Sequence, residues 1–497
     1  MLKSLPKGKG CGPDDISAEL IHEILPCIVG PLHHIINLSL NSGDVPDQWK
    51  ISKVTPIFKK GNREVMDNYR PISIMSVLAK VIEKIVFEQT YKYVTDKNIL
   101  IENQSGFRPH HSTYSAVLNT TEDVLENVDE GLLTGMVMLD LKKAFDSIVH
   151  QILLDKLYFI GIRGTAHKWF KSYLSSRYQY VYMNGVRSDQ ATVECGIPQG
   201  SVLGPLLFSL YINDLGNVVK KSKLALYADD TCIYYSAKNA TEIKSALEND
   251  LQAISEWLAC NKLKLNLAKC EFLLVGTRNR HKKVDKKLTV SLDGAVIKRV
   301  NSTKYLGIVI DEYLEWGAHV RHMKSKIAKC LYLLRRIRPY ISQNEALILY
   351  KTLIQCHLDY CDGVWGNTGK GYIDQLSMLQ KRALKIVLMV NRRYPTEQLF
   401  HQLKINTVTE RLNERMILFM HKILYGTVPE YLTRRFIFQN SHYVTRKSEN
   451  SICVPRVKTN YGKRRLGYRG AVAWNNLTTD LRSTRLTSTF KKKLKNR

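Results

Sequence analysis

Apolar residues recur with two different periods along this chain, and the periods separate a first part rich in strands from a helical second part. Residues 51–60 (ISKVTPIFKK) and Met136–Leu141 read as strands, whereas residues 241–260 carry apolar residues at the spacing of an amphipathic helix. From about residue 317 the helical spacing is almost continuous. The pattern predicts an α+β fold whose sheets precede a helical C-terminal region.

Breakers and caps refine these elements. Apolar positions in the first 50 residues have helical spacing that is broken at Pro26, which predicts two short helices. Asn68–Pro71 is followed by a predicted helix beginning at Ile72. Thr407 and Glu410 have the spacing of a capping box. These signals predict helices before and after the sheets.

Two further turns and one further strand are predicted in the region of the sheets. Asn184-Gly185 and Asp293-Gly294 each separate two runs of alternating residues, which is the signal of a hairpin. Tyr305 is predicted to begin another strand. The region between residues 178 and 310 therefore reads mainly as short paired strands.

Two adjacent carboxylates, Asp229 and Asp230, interrupt an otherwise apolar and aromatic run from Lys223 to Tyr235. The run predicts two strands with the acids at the turn between them. Such acids need a cation or a basic group to neutralise them, and a pair of Mg²⁺ ions would do so while serving phosphoryl transfer. An ordinary polar turn explains the tetrapeptide Tyr227–Asp230 equally well.

A third carboxylate, Asp140, falls near the end of the apolar strand, where its charge needs compensation that a cation would supply. Asp146 and Ser147 are predicted to cap the helix that follows, and Phe145 lies on the connecting turn. Further on, the loop Gly196–Gly200 (GIPQG) opens an apolar helix, and its glycines allow a ligand close to the backbone. Carboxylates from separate strands are what two-metal chemistry requires.

Composition narrows the class of partner. The 497 residues carry a formal net charge of +29, which favours a polyanion, either nucleic acid or an anionic membrane. No apolar run is long enough to span a bilayer and the first residues lack a signal peptide, so an intracellular protein that does not enter a membrane is expected.

The cysteines and the C-terminal basic segment admit plainer interpretations. Ten cysteines without a CxxC pair indicate free thiols in a reducing compartment. Cys356, His357 and Cys361 match no common zinc spacing and are predicted to be buried helix residues. Beyond about residue 437, basic and aromatic residues are interleaved, which suits single-stranded nucleic acid or a partly disordered basic tail.

Seven blocks of sequence occur in an order that resembles a known family, the reverse transcriptases of non-LTR retrotransposons (LINE-like elements of the jockey and chicken-repeat-1 branch). The blocks are NYRPIS at 68–73, QSGFR at 104–108, LDLKKAFD at 139–146, GIPQGSVLGPLLF at 196–208, YADDT at 227–231, LKLNLAKCE at 263–271 and YLG at 305–307. The resemblance runs from about residue 10 to 365 and more loosely to the end.

The resemblance implies a right-hand polymerase with an antiparallel palm sheet, followed by a helical and basic C-terminal region. The implied bounds are an N-terminal helical extension at 1–48, fingers at 49–134, palm with finger insertions at 135–316, thumb at 317–370, a helical region at 371–436 and a basic tail at 437–497. Relatives usually carry an endonuclease, and none is recognisable in this sequence, so the polymerase part of a truncated or misannotated element is expected.

The resemblance also implies roles for single residues. Asp140, Asp229 and Asp230 are the expected metal ligands, with the carbonyl of Leu141 as a further ligand. Phe145 is the expected steric gate against a ribose 2′-hydroxyl. The remaining expectations are Arg70, Lys59 and Lys60 on the triphosphate, Gln199 and Gly200 at template and nucleotide, Lys269 as proton donor to pyrophosphate, and Tyr305, Leu306 and Gly307 as the primer grip.

The implied function is RNA-directed DNA polymerisation with two Mg²⁺ ions, or Mn²⁺ in their place. The implied partners are an RNA template, a DNA primer or target, and dNTPs, in the nucleus and cytoplasm. Three alternatives stay open at this point: an RNA-directed RNA polymerase, a maturase-like splicing protein, and a non-catalytic nucleic-acid-binding remnant of such an element.

Overall fold

A computed structural model describes residues 2–8, 10–285, 287–437 and 450–495. The strands are, in chain order, β1 (Ile51–Phe58), β2 (Tyr69–Ile74), β3 (Leu133–Leu139), β4 (Arg177–Met183), β5 (Val186–Arg187), β6 (Ala191–Val193), β7 (Lys223–Tyr227), β8 (Asp230–Ala237), β9 (Glu271–Val275), β10 (Val290–Leu292), β11 (Ala295–Val300), β12 (Ser302–Tyr305) and β13 (Ile308–Asp311). The predicted combination of sheets with a helical C-terminal half is confirmed.

The α-helices are, in chain order, α1 (Ala18–Glu23), α2 (Leu25–Ser42), α3 (Val77–Asp96), α4 (Thr113–Asp129), α5 (His150–Phe159), α6 (Gly164–Leu174), α7 (Gly204–Tyr211), α8 (Ala240–Cys260), α9 (Arg278–His281), α10 (Gly317–Ile337), α11 (Gln343–Tyr350), α12 (Cys356–Asp359), α13 (Asp362–Trp365), α14 (Lys370–Leu388), α15 (Thr396–Leu403), α16 (Val408–Leu424), α17 (Glu430–Thr433), α18 (Asn460–Arg464), α19 (Leu466–Asn475), α20 (Thr479–Ser483) and α21 (Thr487–Lys495). None of the helices among these described residues is both long and apolar enough to cross a membrane.

The chain forms two compact units, each assembled from three separate segments. Unit 1 comprises Met1–Phe107, Asp140–Lys220 and Asp250–Asn266. Unit 2 comprises Arg108–Leu139, Lys221–Asn249 and Leu267–Arg497.

Unit 1 contains a five-stranded sheet packed with helices. The order is β2-β1-β4-β5, with β6 also paired to β4; β1 and β4 run parallel and the other pairs are antiparallel. Helix α6 packs against α2 and α5, and α5 packs against α7. Trp169 of α6 and Phe208 and Tyr211 of α7 are almost fully buried, and burial of such large rings stabilises the unit.

Unit 2 is built on a six-stranded sheet in the order β10-β11-β9-β3-β8-β7, with a separate β12–β13 hairpin. β3 is central and antiparallel to both β8 and β9, and only the β11–β9 pair is parallel. Gly135 on β3 lets α8 approach, because a Cβ there would collide with the Ile243 side chain. One cluster of buried side chains then continues from this sheet through the C-terminal helices to Phe490.

The C-terminal helices are fastened to α4 by buried acids of that helix. Asp129 accepts hydrogen bonds from the backbone N–H and the hydroxyl of Thr459, at 2.6 and 2.7 Å. Glu122 accepts from the N–H groups of Leu466 and Gly467, at 2.5 and 3.2 Å, and so caps the start of α19. The described part of the C-terminal segment is therefore helical and packed into unit 2; residues 438–449 and 496–497 of the predicted tail lie outside the described residues.

Several local predictions are confirmed. The turns at Asn184-Gly185 and Asp293-Gly294 and the capping box of Thr407 and Glu410 are present. In each case the signal lies within a few neighbouring residues, so no distant part of the chain has to be known. The N-terminal segment contains two helices as predicted, but the break falls at Ile24 and the second helix, α2, is 18 residues long instead of short.

Other predictions are wrong. Tyr69–Ile74 is the strand β2, and the helix begins only at Val77, because this segment pairs with β1 and the Ser76 hydroxyl accepts from the Leu78 N–H at 3.2 Å. Tyr305 ends β12 instead of beginning a strand, and Leu306 and Gly307 form the turn to β13.

The helix expected after Phe145 begins at His150, and neither Asp146 nor Ser147 caps it. The residue at the cap position is Val149, and the Ser147 hydroxyl instead donates to the carbonyl of Lys143 at 3.0 Å. Of the cysteines predicted to be buried in helices, Cys361 is buried between α12 and α13 but Cys356 is exposed.

Candidate active site

Four strand ends of unit 2 meet at one edge of its sheet. Leu139, the last residue of β3, pairs with Thr231 of β8, and Met138 pairs with Glu271 at the start of β9. β7 ends opposite the start of β8, where Tyr227 pairs with Asp230. Side chains placed just beyond these ends are therefore gathered by the strand register.

Asp229 and Asp230 occupy the tip of the β7–β8 hairpin at this edge. Asp230 is the first residue of β8 and Asp229 lies in the two-residue turn; both side chains are exposed. Ala228, the other turn residue, has φ 56°, a left-handed conformation that is costly for a residue with a Cβ. Strain of this kind is concentrated at functional sites, which agrees with a specialised turn.

Lys269 lies at the same edge of unit 2. It ends a short 3-10 helix, Leu267–Lys269, that is separated from β9 by one residue, and its side chain is exposed. The pairing of Glu271 with Met138 brings this segment to the end of β3. The register thus collects one cationic and two anionic candidate residues at one edge.

Asp140 directly follows Leu139 in the chain, and within unit 1 it accepts hydrogen bonds from Asn266. One carboxylate oxygen accepts a hydrogen bond from the Asn266 side-chain amide at 3.1 Å, and its carbonyl accepts from the Asn266 N–H at 2.8 Å. The side chain is half-buried.

The carbonyl of Leu141 is directed away from its neighbouring segment. Leu141 forms an isolated antiparallel bridge with Leu265, and the bonds that close it join Asn266 to Asp140 and Lys142 to Lys264. In such a pair the two opposed residues do not bond each other. The Leu141 carbonyl therefore points outward, as a metal ligand would require.

The ring of Phe145 is held between two other phenylalanines of unit 1. It stacks on Phe208, with centroids 4.5 Å apart and planes at 16°, and meets the edge of Phe107 at 6.1 Å. Its carbonyl accepts from the Ile197 N–H at 2.9 Å. The ring is thus a fixed, half-buried wall and not a mobile surface side chain.

Gln199 and Gly200 lie on a loop that is tied to two other segments of unit 1. The Gln199 side chain donates to the Asp146 carboxylate at 2.9 Å, and its carbonyl accepts from the Ser73 N–H of β2 at 2.8 Å. Burial raises the pKa of Asp146, although the bond from Gln199 opposes this. Gly200 has φ 131°, and a Cβ there would collide with the Ser73 carbonyl, so only glycine permits this close approach.

A buried carboxylate that the sequence did not single out supports the same loop. Glu83 of α3 accepts from the N–H groups of Val202 and Leu203, at 2.6 and 3.4 Å, and from the Tyr173 hydroxyl at 2.9 Å. Burial raises the pKa of Glu83 despite these bonds. In sequence it is one glutamate in an amphipathic helix, and no local signal distinguishes it from an exposed one.

The basic candidates of unit 1 lie on the β1–β2 hairpin. Arg70 pairs with Ile57, and the N–H of Lys59 bonds to the carbonyl of Asn68, so Arg70 and Lys59 share one face of the hairpin. Their side chains and that of Lys60 are exposed. Such a group of cations suits an anionic ligand.

The turn predicted as the primer grip is fixed by Tyr360, which sequence reasoning did not identify. Leu306 and Gly307 have φ values of 45° and 86°. The Tyr360 hydroxyl donates to the Leu306 carbonyl at 2.7 Å and lies 3.0 Å from the hydroxyl of Thr113. Tyr305 itself is buried, and burial raises its pKa well above the ordinary tyrosine value, so this turn presents backbone, not the tyrosine ring.

The metal candidates form no ready cluster of side chains. Among the described residues, no three His, Cys, Asp or Glu side chains are grouped so as to hold an ion. The oxygen-only donors nevertheless fit Mg²⁺, which takes one or two protein carboxylates, retains several waters and is completed by substrate phosphates. The donor set therefore suits a metal that binds together with a nucleotide.

Comparison with known proteins adds a family match. Residues 57–310 match the profile of a family described as "Reverse transcriptase (RNA-dependent DNA polymerase)". Two Drosophila melanogaster proteins align over most of the chain. "Probable RNA-directed DNA polymerase from transposon BS" is 28% identical over 83% of this chain and 46% of its own length. "RNA-directed DNA polymerase from mobile element jockey" is 26% identical over 88% and 48%.

The chain spans about half the length of the curated relatives it matches. Among solved structures, one of telomerase from Candida albicans with a fragment of telomeric RNA aligns at 10% identity over 73% of this chain and 68% of that one. Its TM-score of 0.41 is too low to support an argument.

Proposed function

The chain belongs to the reverse transcriptase family, and from that membership we propose that it is the polymerase segment of a non-LTR retrotransposon protein, copying RNA into DNA from dNTPs. The observation that carries the proposal is the register of β3 against β8. Leu139 and Thr231 are paired, and the residues bonded to them are Asp140 and Asp230, with Asp229 next in the chain. Two motifs that are distant in sequence thus each have an acid covalently next to a member of this one residue pair.

Asp140, Asp229 and Asp230 would hold two divalent cations, Mg²⁺ or Mn²⁺, with Asp140 and Asp229 as the main ligands and the Leu141 carbonyl as an additional one. The exposed acids at the hairpin tip and the outward carbonyl of Leu141 support this assignment. When bound, the ions lower the pKa of the primer 3′-hydroxyl and neutralise charge on the triphosphate.

The remaining residues would bind and orient the reactants. Arg70, with Lys59 and Lys60, would contact the triphosphate oxygens, and Gln199 and Gly200 would pack against template and nucleotide. The 3′-hydroxyl would lose its proton to solvent as its oxygen attacks the α-phosphorus and the bond to pyrophosphate breaks, and the Lys269 ammonium would give a proton to the departing pyrophosphate. Leu306 and Gly307, next to the buried Tyr305, would hold the primer end through their backbone.

Phe145 would select the sugar. A fixed aromatic wall clashes with a ribose 2′-hydroxyl but accommodates deoxyribose, and the rings of Phe107 and Phe208 keep the wall in place. This arrangement favours a DNA-synthesising over an RNA-synthesising polymerase. The proposal also includes the right-hand architecture, with fingers at 49–134, palm at 135–316 and thumb at 317–370.

Primer extension on an RNA template with dNTPs and Mg²⁺ tests the proposed function. The wild-type chain is expected to extend the primer, and Asp229→Ala to lose at least about a hundred-fold in rate, because a carboxylate that holds a catalytic ion is removed. Asp189→Ala, a change at an exposed aspartate of unit 1, serves as the matched control. No wild-type product with either Mg²⁺ or Mn²⁺ would favour a non-catalytic nucleic-acid-binding remnant instead.

A further inference from the structure

One face of the unit 1 sheet carries aromatic residues in a row. β4 contributes Tyr178, Tyr180 and Tyr182, which alternate along the strand and therefore share a face. The pairing of Tyr180 with Lys53 places that residue of β1 on the same face, and the pairing of Tyr182 with Arg187 does the same for β5. We call this set of five residues, together with Arg70, the tyrosine face.

The charge of this sheet has one sign. Its five strands contain four basic residues and no acidic one within the described chain. Arg70 lies on the tyrosine face, because it pairs with Ile57, which alternates with Lys53 along β1. The fourth cation, Arg177, is buried on the opposite face. The tyrosine face is therefore exposed and positively charged, whereas the opposite face of the sheet, which carries Arg177, is buried.

Cations and rings are already arranged in layers on this face. The Arg187 guanidinium lies 4.0 Å from the centroid of the Tyr180 ring, and the Lys53 ammonium lies 4.1 Å from that of Tyr182. Tyr180 is 6% exposed beneath its arginine, whereas Tyr178 and Tyr182 are 40% and 37% exposed. An exposed ring, a guanidinium plane and a second exposed ring thus follow one another over roughly 13 Å of strand.

We propose that the tyrosine face binds a single-stranded polynucleotide, whose bases stack on Tyr178 and Tyr182 and on the Arg187 plane while its phosphates contact Lys53. Flat rings and guanidinium planes offer stacking surfaces to bases that are not paired. The absence of acids from these described strands gives the charge complementarity that a phosphate backbone needs. A duplex cannot use the rings, because its bases are already stacked on one another.

This inference rests on and deepens the proposed function, since the strand bound there would be the uncopied part of the template. A template is single-stranded until it is copied, and a second contact outside the catalytic residues would hold it between nucleotide additions. Stacking involves the bases and not the sugar. Single-stranded RNA and DNA of the same sequence are therefore expected to bind this face with similar Kd.

Fluorescence anisotropy of the full chain with a fluorescein-labelled single-stranded RNA tests the inference. The double variant Tyr178→Ala/Tyr182→Ala is expected to raise Kd by roughly ten-fold or more, because two base stacks are lost. The corresponding double change to phenylalanine should bind as the wild type does, since the rings remain. Arg187→Gln should reduce the slope of log affinity against log salt by about one.

Tyr158→Ala is the matched control, because Tyr158 is also an exposed tyrosine of unit 1 with an arginine, Arg163, over its ring. It should bind RNA with unchanged Kd. Equal Kd values for the double alanine variant and the wild type would overturn the inference, as would competition by duplex RNA as strong as by single strands. Thermal unfolding confirms that each variant is folded.

Primer extension separates this inference from the proposed function. On a template with a long single-stranded overhang, the double alanine variant should show a raised KM for primer–template, and on a template with a single uncopied nucleotide it should match the wild type. If the wild type extends no primer but the anisotropy losses occur, the proposed function fails and the binding face stands. If extension occurs and neither KM nor Kd changes, the binding face fails alone.

Discussion

The ring of Phe145 stacks on the ring of Phe208 with centroids 4.5 Å apart and planes only 16° from parallel. Phe208 is fully buried in α7, so the ring of Phe145, the proposed steric gate, is continuous with the core of unit 1. Selectivity between ribose and deoxyribose should therefore depend in part on Phe208, which is too deeply buried to touch a nucleotide.

Phe145→Ala is expected to lower the preference for dNTPs over rNTPs, measured as a ratio of kcat/KM values, by about ten-fold or more, because the wall against the 2′-hydroxyl is removed. Phe208→Leu should lower it by less, since the wall stays but loses its support. Phe159→Leu, at an exposed phenylalanine of α5, should leave the ratio unchanged. An unaltered ratio in Phe145→Ala would remove the gate assignment.

Glu83→Ala should weaken both stability and nucleotide use, because it leaves the Val202 and Leu203 N–H groups buried without their acceptor. We expect the free energy of unfolding to fall by about 2 kcal/mol and the KM for dNTPs to rise. Glu83→Gln should recover part of both, since an amide oxygen also accepts. Glu88→Ala changes an exposed glutamate of the same helix and is the control. Unchanged KM in Glu83→Ala would confine this residue to a structural role.

Tyr360→Phe removes the hydroxyl that bonds to the Leu306 carbonyl while keeping the ring beside Gly307. The turn should become less fixed, so the KM for primer–template should rise a few-fold with little change in the KM for dNTPs. Steady-state primer extension measures both constants. Tyr332→Phe, at an exposed tyrosine of α10, is the matched change. A rise in both KM values to the same extent would contradict a role in holding the primer.

Ala228→Gly should stabilise the chain, because Ala228 holds a left-handed φ of 56° that glycine adopts without steric cost. The gain in the free energy of unfolding should be about 1 kcal/mol, reduced somewhat by the greater freedom of glycine in the unfolded chain. Chemical denaturation measures it. Ala240→Gly, at the first residue of helix α8, should instead be neutral or destabilising. A loss of stability in Ala228→Gly would show that the turn is not strained.

Asp129→Asn should destabilise the docking of the C-terminal helices in a pH-dependent way. Burial would raise the pKa of Asp129, but hydrogen bonds from Thr459 and Lys458 outweigh it and hold the pKa below the ordinary value. An acid with a lowered folded pKa contributes stability above its unfolded pKa, and that contribution disappears as the pH falls through the folded pKa. The wild type should thus exceed Asp129→Asn at neutral pH and approach it in acid.

Denaturant titrations at a series of pH values give this comparison. The difference between the two chains at neutral pH should be about 2 kcal/mol, the scale of hydrogen bonds to a charged acceptor. A difference that does not change with pH would mean that the charge of Asp129 is irrelevant. Asp374→Asn, at an aspartate of α14, supplies a reference change.

The motifs to which we assign chemistry were largely predictable in structure, because each is compact in sequence. The hairpin with Asp229 and Asp230 at its tip follows from alternation on both sides of a turn, and the strand ending before Asp140 follows from its apolar run. The wrong prediction of a helix from Ile72 also rested on local sequence alone. Its apolar spacing fitted a helix, and only pairing with β1 made it a strand.

The residues that support these motifs were not predictable, because their partners are distant in the chain. Glu83 bonds to Val202, and Asp129 bonds to Thr459, more than a hundred and more than three hundred residues further on. Nothing in the neighbouring residues distinguishes such an acid from a solvated one. The helices within residues 450–495 were missed for the same reason, since Asp129 and Glu122 of α4 bind Thr459 and the start of α19 across this distance.

The interleaving of the two units sets an order for folding during synthesis. The last residue of unit 1 is Asn266, so that unit has its full complement of chain before the longest segment of unit 2, from Leu267 onward, is translated. Helix α4, by contrast, is synthesised early. Its buried acids Asp129 and Glu122 find their hydrogen-bond donors only after residues 459–467 have been translated. Vectorial synthesis therefore exposes unit 2 to chaperones and aggregation for far longer than unit 1.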